Sequence, residues 1–185
     1  MKKVVITGAP GTGKTVIINA LEVKGYQCFH EIIRAMTAKT RSEGTSKKQV
    51  SNPLAFVDDP YTFNQRLLEG RLADFKASEK TKKTVSFFDR GMPDVLAYMN
   101  YFNQPYNKDF KKICRKNTYN KIFILPPWKE IYRRDNERLE TFDQAEQLHE
   151  QLLKSYQEFG YAPILVPKTS IHNRISFILK ELKNS

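Results

Sequence analysis

Three glycines, a lysine and a threonine near the amino terminus have types and spacing that suit phosphate chemistry. The stretch reads GAPGTGKT, with four residues between Gly8 and Gly13 and with Lys14 and Thr15 following directly. Glycines let successive backbone N–H groups converge on an anion, and Lys14 can reach the β- and γ-phosphates of a nucleotide. The hydroxyl of Thr15 can hold Mg²⁺ at the start of a helix whose positive dipole end favours phosphate. The spacing therefore predicts a loop that binds a nucleoside triphosphate with Mg²⁺. The predicted contacts come from Gly8, Ala9, Pro10, Gly11, Thr12, Gly13, Lys14 and Thr15.

A second pair of candidate residues, Asp89 and Arg90, directly follows the apolar run VSFF. A carboxylate at this point is expected on the magnesium side of a phosphate-binding loop. Many ATP-hydrolysing motors place a water-activating glutamate next, whereas an arginine suits a substrate or its phosphate. We therefore predict that Asp89 holds the metal and Arg90 holds the substrate. The alternative is that Asp89 caps the following helix while Arg90 is paired on the surface.

Glu31 is the candidate general base, because it follows a predicted second strand over residues 26–29. That strand would deliver the carboxylate to the same edge of the sheet as the phosphate loop. There it could orient an acceptor hydroxyl and accept its proton. Arg34 lies one helical turn further on. Alternatively, Glu31 only stabilises the positive end of its own helix.

Three arginines, Arg133, Arg134 and Arg138, lie in the charged stretch WKEIYRRDNERLE. Arg134 and Arg138 are like charges at i,i+4, which is unfavourable unless an anion lies between them. We predict a lid-like segment near 128–142 that closes over the transferring phosphoryl group, with Arg133 contacting the nucleotide. The alternative is a solvated helix in which neighbouring glutamates pair with the arginines.

Alternating strands and helices would position these residues. Apolar runs predict five strands, at residues 4–6, 26–29, 84–88, 121–125 and 164–166, and apolar residues at three- and four-residue spacing predict helices between them. This order indicates an α/β doubly wound parallel sheet, whose ligands lie off the carboxyl ends of the strands. We expect a single domain over residues 1–185, with a mobile insertion near 41–59.

Composition excludes several classes of protein. No apolar run approaches the roughly 20 residues of a membrane span, and the amino terminus lacks the features of a signal peptide. We therefore expect no membrane partner and a cytoplasmic location. Cys28 and Cys114 stand alone, which argues against a disulfide framework or a metal site. The three histidines have no ligand spacing and are interpreted as packing or surface residues.

The net charge of +11 indicates an anionic partner without identifying it. Much of the excess lies in three basic runs, at residues 39–48, 76–83 and 108–117. We favour solvated faces for these runs, and a path for nucleic acid is the alternative.

The sequence resembles the phosphate-loop (P-loop) small-molecule kinases in five features. They are GAPGTGKT, the carboxylate after strand two, the Asp-Arg pair after strand three, the arginine-bearing segment after strand four, and VPKTSIHNR after strand five. Thymidylate kinases, deoxynucleoside kinases and the ATP-binding proteins grouped with the ribosylnicotinamide kinase domain belong to this group. The resemblance covers nearly the whole chain. It implies a three-layer P-loop fold with strand order 2-3-1-4-5, ATP and Mg²⁺ as cofactors, and an adenine bordered by Lys168, Thr169 and Ser170.

We interpret the sequence as that of an ATP-dependent kinase of a small acceptor, with a nucleoside-like or nucleotide metabolite favoured. The predicted catalytic residues are Lys14, Glu31, Asp89, Arg90, Arg134 and Arg138, and the predicted metal ligands are Thr15 and Asp89. An NTP hydrolase or polynucleotide kinase acting with nucleic acid is the first alternative. A non-catalytic nucleotide switch ranks last, because the chain has no N-K-x-D guanine-reading motif.

Overall fold

Five parallel strands form the centre of the computed structural model, which describes residues 1–33, 59–132 and 140–183. Their order in the sheet is β2-β3-β1-β4-β5, and every neighbouring pair is parallel. The strands are β1 (Lys2–Gly8), β2 (Gln27–Phe29), β3 (Val85–Asp89), β4 (Lys121–Leu125) and β5 (Ile164–Leu165). The predicted fold class and strand order are confirmed.

Helices cover both faces of this sheet. Within the described part of the chain they are α1 (Lys14–Val23), α2 (Pro60–Ser78), α3 (Met92–Tyr101), α4 (Lys108–Lys116), α5 (Phe142–Glu158) and α6 (Ile171–Lys183). The start of α2 is set by Asp59, whose side chain accepts a hydrogen bond from the Thr62 N–H, and by a proline in the first turn. Thr141 and Gln144 form a capping box at the start of α5.

Alternating side chains of β1 divide the interior into two layers. Val4 and Ile6 pack with Ile17 and Ile18 of α1 and with Ile178 of α6. The opposite face of the sheet carries Val5, Phe88 and Ile122, which pack against α2, α3 and α4. Helix α5 covers β4 on that same face through Leu148 and Leu152. The result is the three-layer arrangement that a doubly wound sheet requires.

Two details differ from the sequence prediction. The basic run at 108–117, interpreted only as a solvated face or a nucleic-acid path, contains the helix α4, because Phe110 and Cys114 lie one turn apart and are buried. The apolar spacing of the last helix predicts that Ile171 faces inward together with Ile175 and Ile178, but Ile171, at the first position of α6, is 42% exposed. Most of the predicted insertion near 41–59 lies outside the described residues.

The parallel arrangement brings the carboxyl ends of β1, β2 and β3 to one edge of the sheet. Ile6 of β1 is in register with Asp89 of β3, and Phe29 of β2 is in register with Phe88. Gly8, Glu31 and Arg90 follow these pairs. The sheet topology therefore places the phosphate loop beside both predicted charged segments. None of the helices in the described residues is long and apolar enough to cross a membrane.

Candidate active site

The phosphate loop connects β1 to α1 and wraps around its own lysine. Gly11 and Gly13 have φ angles of 78° and 87°, and Gly13 is the N-cap of α1. These left-handed conformations are accessible to glycine at little steric cost, which explains the glycine spacing. Thr12 Oγ1 and Lys14 Nζ both donate to the Ala9 carbonyl, at 2.9 and 2.8 Å.

Lys14 is buried at the base of this loop, with 8% of its surface exposed. Burial lowers the pKa of the amine to about 7, and the nearby Arg90 guanidinium adds to the shift. The carboxylates of Asp89, Glu31 and Asp94 oppose it. The lysine is thus held where its positive charge lacks a strong counter-ion, as expected of a residue that receives phosphate oxygens.

Asp89, at the end of β3, is the best-placed candidate for a metal ligand among the described residues. It is 6% exposed, and its Oδ1 atom has no hydrogen-bond partner in the described part of the chain. Burial, reinforced by the charge of Glu31, raises the pKa of Asp89 to about 6, although Lys14, Arg90 and Arg71 oppose the shift. Thr15, in the first turn of α1, is half-buried.

These two residues fit a magnesium ion. Mg²⁺ prefers oxygen ligands and usually takes only one or two groups from the protein, the rest coming from phosphates and water. Asp89 supplies a buried oxygen without a partner, and Thr15 supplies a hydroxyl. The described residues contain no cluster of three or more His, Cys, Asp or Glu that could hold a metal by themselves.

Arg90 is buried, and its guanidinium is fixed by acidic groups from two elements. Its backbone has φ 75°, and its Nη1 lies 3.4 Å from both the Gly8 carbonyl and Asp94 Oδ1. Its Nε forms an ion pair with Glu31 Oε2, and the ring of Tyr98 lies 5.1 Å from the guanidinium carbon. Arg90 is therefore not a surface residue. Asp89 does not cap α3 either, because Gly91 is the N-cap.

Glu31 lies at the same edge, as predicted, and both of its carboxylate oxygens contact arginines. Oε2 pairs with Arg90, and Oε1 accepts from Arg71 Nη2 at 3.2 Å. Arg71 also donates to the Gly91 carbonyl at 2.8 Å. A carboxylate oxygen has two lone pairs, so these contacts fix the position of Glu31 and leave acceptor capacity for a hydroxyl.

Asp94 contacts both Arg90 and the backbone of Gly91, and it was not identified from the sequence. Fully buried in the first turn of α3, it accepts from Thr7 Oγ1 at 2.5 Å, from the Gly91 N–H at 2.9 Å and from the Tyr156 hydroxyl. A buried charge is tolerated when it is satisfied in this way. The carboxylate therefore fixes the turn that carries Arg90.

Gly91 allows this turn to pack against the core. A Cβ atom at this position would lie 2.6 Å from the Tyr156 hydroxyl and 3.1 Å from both Tyr119 and Val5. Its φ of −116° is ordinary extended backbone, so lack of space, not backbone conformation, requires glycine here.

Arg174 of α6 reaches across to the phosphate loop. Its Nη1 donates to the Thr12 carbonyl at 3.1 Å, and its guanidinium carbon lies 5.6 Å from the centre of the Trp128 ring. Only 6% of Arg174 is exposed. The contact brings the start of α6 close to the phosphate loop. The predicted adenine-bordering residues Lys168, Thr169 and Ser170 lie just before this helix, and Ser170 Oγ accepts from the Asn173 N–H at 3.3 Å.

A narrow pocket, open to solvent, lies between β2, β3 and α2. Polar groups of His30, Arg71, Asp74, Asp89 and Arg90 line it. Aromatic and aliphatic side chains complete the wall, namely Phe29, Ile32, Phe88 and Tyr119. The pocket adjoins the Asp89–Arg90 turn, next to the phosphate loop.

Some predicted residues lie outside the described part of the chain. They are Arg34 and the arginines of the lid-like segment, Arg133, Arg134 and Arg138. Tyr132 is the last residue described before the lid arginines, and its N–H donates to the Trp128 carbonyl at 3.0 Å. Its hydroxyl donates to the backbone carbonyl of Glu140, the first residue described after them. The predicted roles of the three arginines of the lid-like segment stay predictions.

Sequence reasoning missed Arg71, Asp94 and Arg174, although two of them leave a sequence signal. Arg71 lies four residues after Leu67 and four before Phe75, on the apolar side of α2. Arg174 similarly lies beside Ile175 and four residues before Ile178 on α6. A cation within an apolar stripe is a reason to expect a buried partner. Asp94 resembles an ordinary first-turn acid, and its partners lie too far away in sequence to be predicted.

Comparisons with known proteins identify the family and the fold. A family model described as AAA domain matches residues 3–174. No curated protein matches the chain significantly in sequence.

Solved structures of two kinases and of the NadR protein have a similar fold. Deoxyadenosine kinase from M. mycoides with products dCMP and a flexible dCDP bound is 16% identical, with a TM-score of 0.66 over 99% of this chain and 100% of that chain. The NadR protein in complex with NR is 15% identical, with a TM-score of 0.74 over 99% of this chain and 50% of that chain. This chain thus spans about half the length of NadR. Thymidylate kinase from Ehrlichia chaffeensis is 12% identical, with a TM-score of 0.63 over 98% of both chains. The chain therefore belongs to the family described as AAA domain and has the fold of P-loop nucleoside and nucleotide kinases.

Proposed function

We propose that the chain is an ATP- and Mg²⁺-dependent kinase that phosphorylates a hydroxyl group of a small nucleoside-like or nucleotide acceptor. The observation that carries this proposal is the fixed Glu31–Arg90 pair beside Lys14 and Asp89. It combines a candidate base, a cation for the acceptor and a phosphate-binding lysine at one edge of the sheet. The similarity in fold to deoxyadenosine kinase, thymidylate kinase and NadR agrees with this chemistry.

The residues of the phosphate loop would bind and orient the nucleotide. Backbone N–H groups of residues 8–15 surround the phosphates, and Lys14 contacts the oxygens of the β- and γ-phosphates. Thr15 and Asp89 would hold Mg²⁺, which neutralises developing charge on the transferring group when bound. We propose that Lys168, Thr169 and Ser170 border the adenine.

The acceptor would bind in the pocket beside β2 and β3. Arg90 is fixed on its wall and holds the acceptor or its phosphate by charge-assisted hydrogen bonds. The acceptor hydroxyl oxygen attacks the γ-phosphorus, its proton passes to Glu31, and the bond to the β-phosphate oxygen breaks to release ADP. Arg133, Arg134 and Arg138 remain candidates for charge stabilisation of the transferring group.

Arg90 argues for phosphoryl transfer to an acceptor over hydrolysis. It occupies the position after Asp89 at which hydrolytic motors carry a water-activating glutamate. Glu31 is held by two arginines on the acceptor side. The absence of an N-K-x-D motif, with Phe110 following Asn107-Lys108-Asp109, favours ATP over GTP.

The test is a screen of nucleosides, nucleotides and other hydroxylated metabolites for ADP release above the acceptor-free rate. With the best acceptor, Glu31→Gln should lower kcat roughly 10²- to 10⁴-fold, the usual loss for a positioned general base, with little change in ATP affinity. The matched control is Glu69→Gln, at an exposed position of α2, which should keep full activity. Thr15→Ala should reduce every ATP-dependent activity.

Two outcomes would contradict the proposal. One is rapid acceptor-free hydrolysis that persists in Glu31→Gln and Arg90→Ala. The other is turnover stimulated only by oligonucleotide, which would favour a nucleic-acid-dependent enzyme.

A further inference from the structure

The positive charge of the chain includes a patch at the end of the sheet opposite the phosphate loop. The loop lies at the carboxyl ends of the strands, whereas the residues just before β3 and just before β4 lie at their amino ends. Two basic segments precede these strands, at the end of α2 and at the end of α4. We call their exposed cations the basic patch; they are Lys76, Lys80, Lys82, Lys83, Arg115 and Lys116.

Lys3 of β1 connects the two segments of the basic patch. Its Nζ pairs with Glu79 at 2.7 Å and lies 3.5 Å from the centre of the Phe75 ring. Its backbone exchanges hydrogen bonds with Asn120, at 2.7 and 2.8 Å. The Phe75 and Tyr119 rings are in contact, with centroids 5.2 Å apart. The segment at 76–83 and the segment at 115–120 therefore form one continuous surface.

The two segments contain a single acidic residue. Residues 110–121 contain none, and residues 75–88 contain only Glu79, which is paired with Lys3 and also interacts electrostatically with Lys76. Glu181 of α6 lies beside the second segment, where its carbonyl accepts from Lys121 Nζ at 2.5 Å. Two further cations of α4 have their own partners, Lys112 with Asp109 and Lys111 with Glu158. Within the described part of the chain, the six cations of the basic patch have no side-chain ion pair or hydrogen bond.

Helix dipoles explain only some of these charges. Lys76, Arg115 and Lys116 lie in the last turns of their helices, where cations are favourable. Lys80, Lys82 and Lys83 follow the end of α2, so they lie outside the last turn in which the helix dipole stabilises a cation. Nucleotide binding does not explain them either, because β1 is seven residues long and separates its two ends by about 20 Å.

The chemistry of the basic patch fits a nucleic-acid backbone. A membrane surface or a protein partner would be expected to meet exposed apolar side chains. Neither of the segments 75–88 and 110–121 has an exposed large hydrophobic residue among those described, and the one exposed apolar side chain in contact with them is Met1, whose Sδ accepts from Ser86 Oγ at 3.6 Å. Separate long cationic side chains with so little apolar surface beside them suit a row of phosphates, which supply most of the affinity in non-specific binding.

We propose that the basic patch binds the phosphate backbone of a polynucleotide, at a site separate from the nucleotide and acceptor sites. This goes beyond the proposed kinase function and does not depend on it. The basic patch lies about 20 Å from the phosphate loop, at the other end of β1, so the two sites do not share their contacts.

The test measures fluorescence anisotropy of a labelled 20-nucleotide single strand, and of a 20-base-pair duplex, titrated with the full chain. We expect affinity to fall steeply as salt is raised from about 50 to about 200 mM. The double variant Lys83→Glu/Arg115→Glu, with one change in each segment, should bind about tenfold or more weakly and with a smaller salt slope. The matched control is Arg66→Glu/Lys154→Glu, which reverses two exposed charges elsewhere and should keep at least most of the affinity. Equal thermal unfolding of the two variants would show that folding is unaffected.

At fixed ionic strength and fixed free Mg²⁺, a saturating non-hydrolysable ATP analogue should leave the oligonucleotide affinity unchanged, because the two sites are separate. Displacement by the analogue would overturn the proposal, since the oligonucleotide would then occupy the phosphate loop. A salt slope near zero, or equal losses in the two double variants, would also overturn it. Binding of phosphatidylserine vesicles or polyglutamate as tightly as the oligonucleotide would assign the patch to another partner.

Discussion

The amine of Lys14 is buried against a backbone carbonyl, and its positive charge is poorly stabilised until an anion arrives. Its strongest neighbours have opposite effects, since Arg90 repels the charge and Asp89 attracts it. A nucleoside triphosphate would add several negative charges at this point. The protonation of Lys14 should therefore depend on whether the loop is occupied.

We predict that ATP binding at pH 8 takes up about one proton through Lys14. With a pKa of about 7 in the free protein, the amine is mostly neutral at pH 8, and bound phosphates should raise its pKa above that value. At pH 6 the Lys14 amine is already mostly charged, so ATP binding should cause almost no proton uptake by this residue. Calorimetry in buffers of different ionisation enthalpy measures the uptake. Lys14→Arg is the control, because a guanidinium stays charged. No buffer dependence in the parent at pH 8 would contradict the prediction.

Arg174 is a second residue whose contacts predict an effect on the nucleotide. We expect Arg174→Ala to weaken ATP binding about tenfold or more, because it removes a charged hydrogen bond to the Thr12 carbonyl, and such bonds contribute about 1.5–3 kcal/mol. Arg174→Lys should recover part of the loss. Trp128 is the only tryptophan of the chain and contacts Arg174, so nucleotide titrations can be followed by its fluorescence. Arg66→Ala, at an exposed site, is the control, and unchanged affinity in Arg174→Ala would exclude this role.

At the scale of elements, hydrophobic periodicity predicted most of the fold. Leu67, Leu68 and Phe75 identify α2, and the β-branched run at Val4 identifies β1. Helix α4 was missed because its many lysines obscure Phe110 and Cys114. The phosphate loop could be predicted because its chemistry is contained in eight consecutive residues. The contacts that support the loop could not be predicted, because they join residues that are far apart in the sequence. Asp94 contacts Tyr156 and Thr7, at separations of 62 and 87 positions, and Arg174 contacts Thr12 at a separation of 162 positions.

The start of α3 provides a test of this packing. We predict that Gly91→Ala destabilises the fold by about 1–3 kcal/mol, the usual effect of overpacking, because the new Cβ atom would lie 2.6 Å from the Tyr156 hydroxyl. Tyr156→Phe removes that oxygen, so Gly91→Ala should destabilise less in the Tyr156→Phe background. Urea unfolding of the four proteins gives the coupling, which we expect to be about 1 kcal/mol. Strict additivity would show that the hydroxyl does not limit the space at Gly91.

At the scale of the whole molecule, one sheet separates two charged regions with different surroundings. The edge formed by the carboxyl ends of β1, β2 and β3 pairs the buried cations of Arg71 and Arg90 with the carboxylates of Glu31 and Asp94. The opposite end carries exposed cations with few acids nearby. The charges beside the phosphate loop are desolvated, whereas those of the basic patch are in water. Salt should therefore screen the electrostatic interactions of the basic patch far more than those beside the loop.

We predict that this separation is visible in thermal unfolding. ATP with Mg²⁺ at about 100 times its Kd should stabilise the parent by about 2.7 kcal/mol, which raises Tm by roughly 5–10 °C in a chain of this size. Lys14→Ala should lose the shift, because the loop can no longer bind the phosphates productively. Lys83→Glu/Arg115→Glu should keep the full shift, since those residues lie at the other end of the sheet. Scanning calorimetry with and without nucleotide provides the comparison. A nucleotide shift that disappears in the double variant would show that the two ends are coupled, and an undiminished shift in Lys14→Ala would contradict the assignment of the phosphate loop.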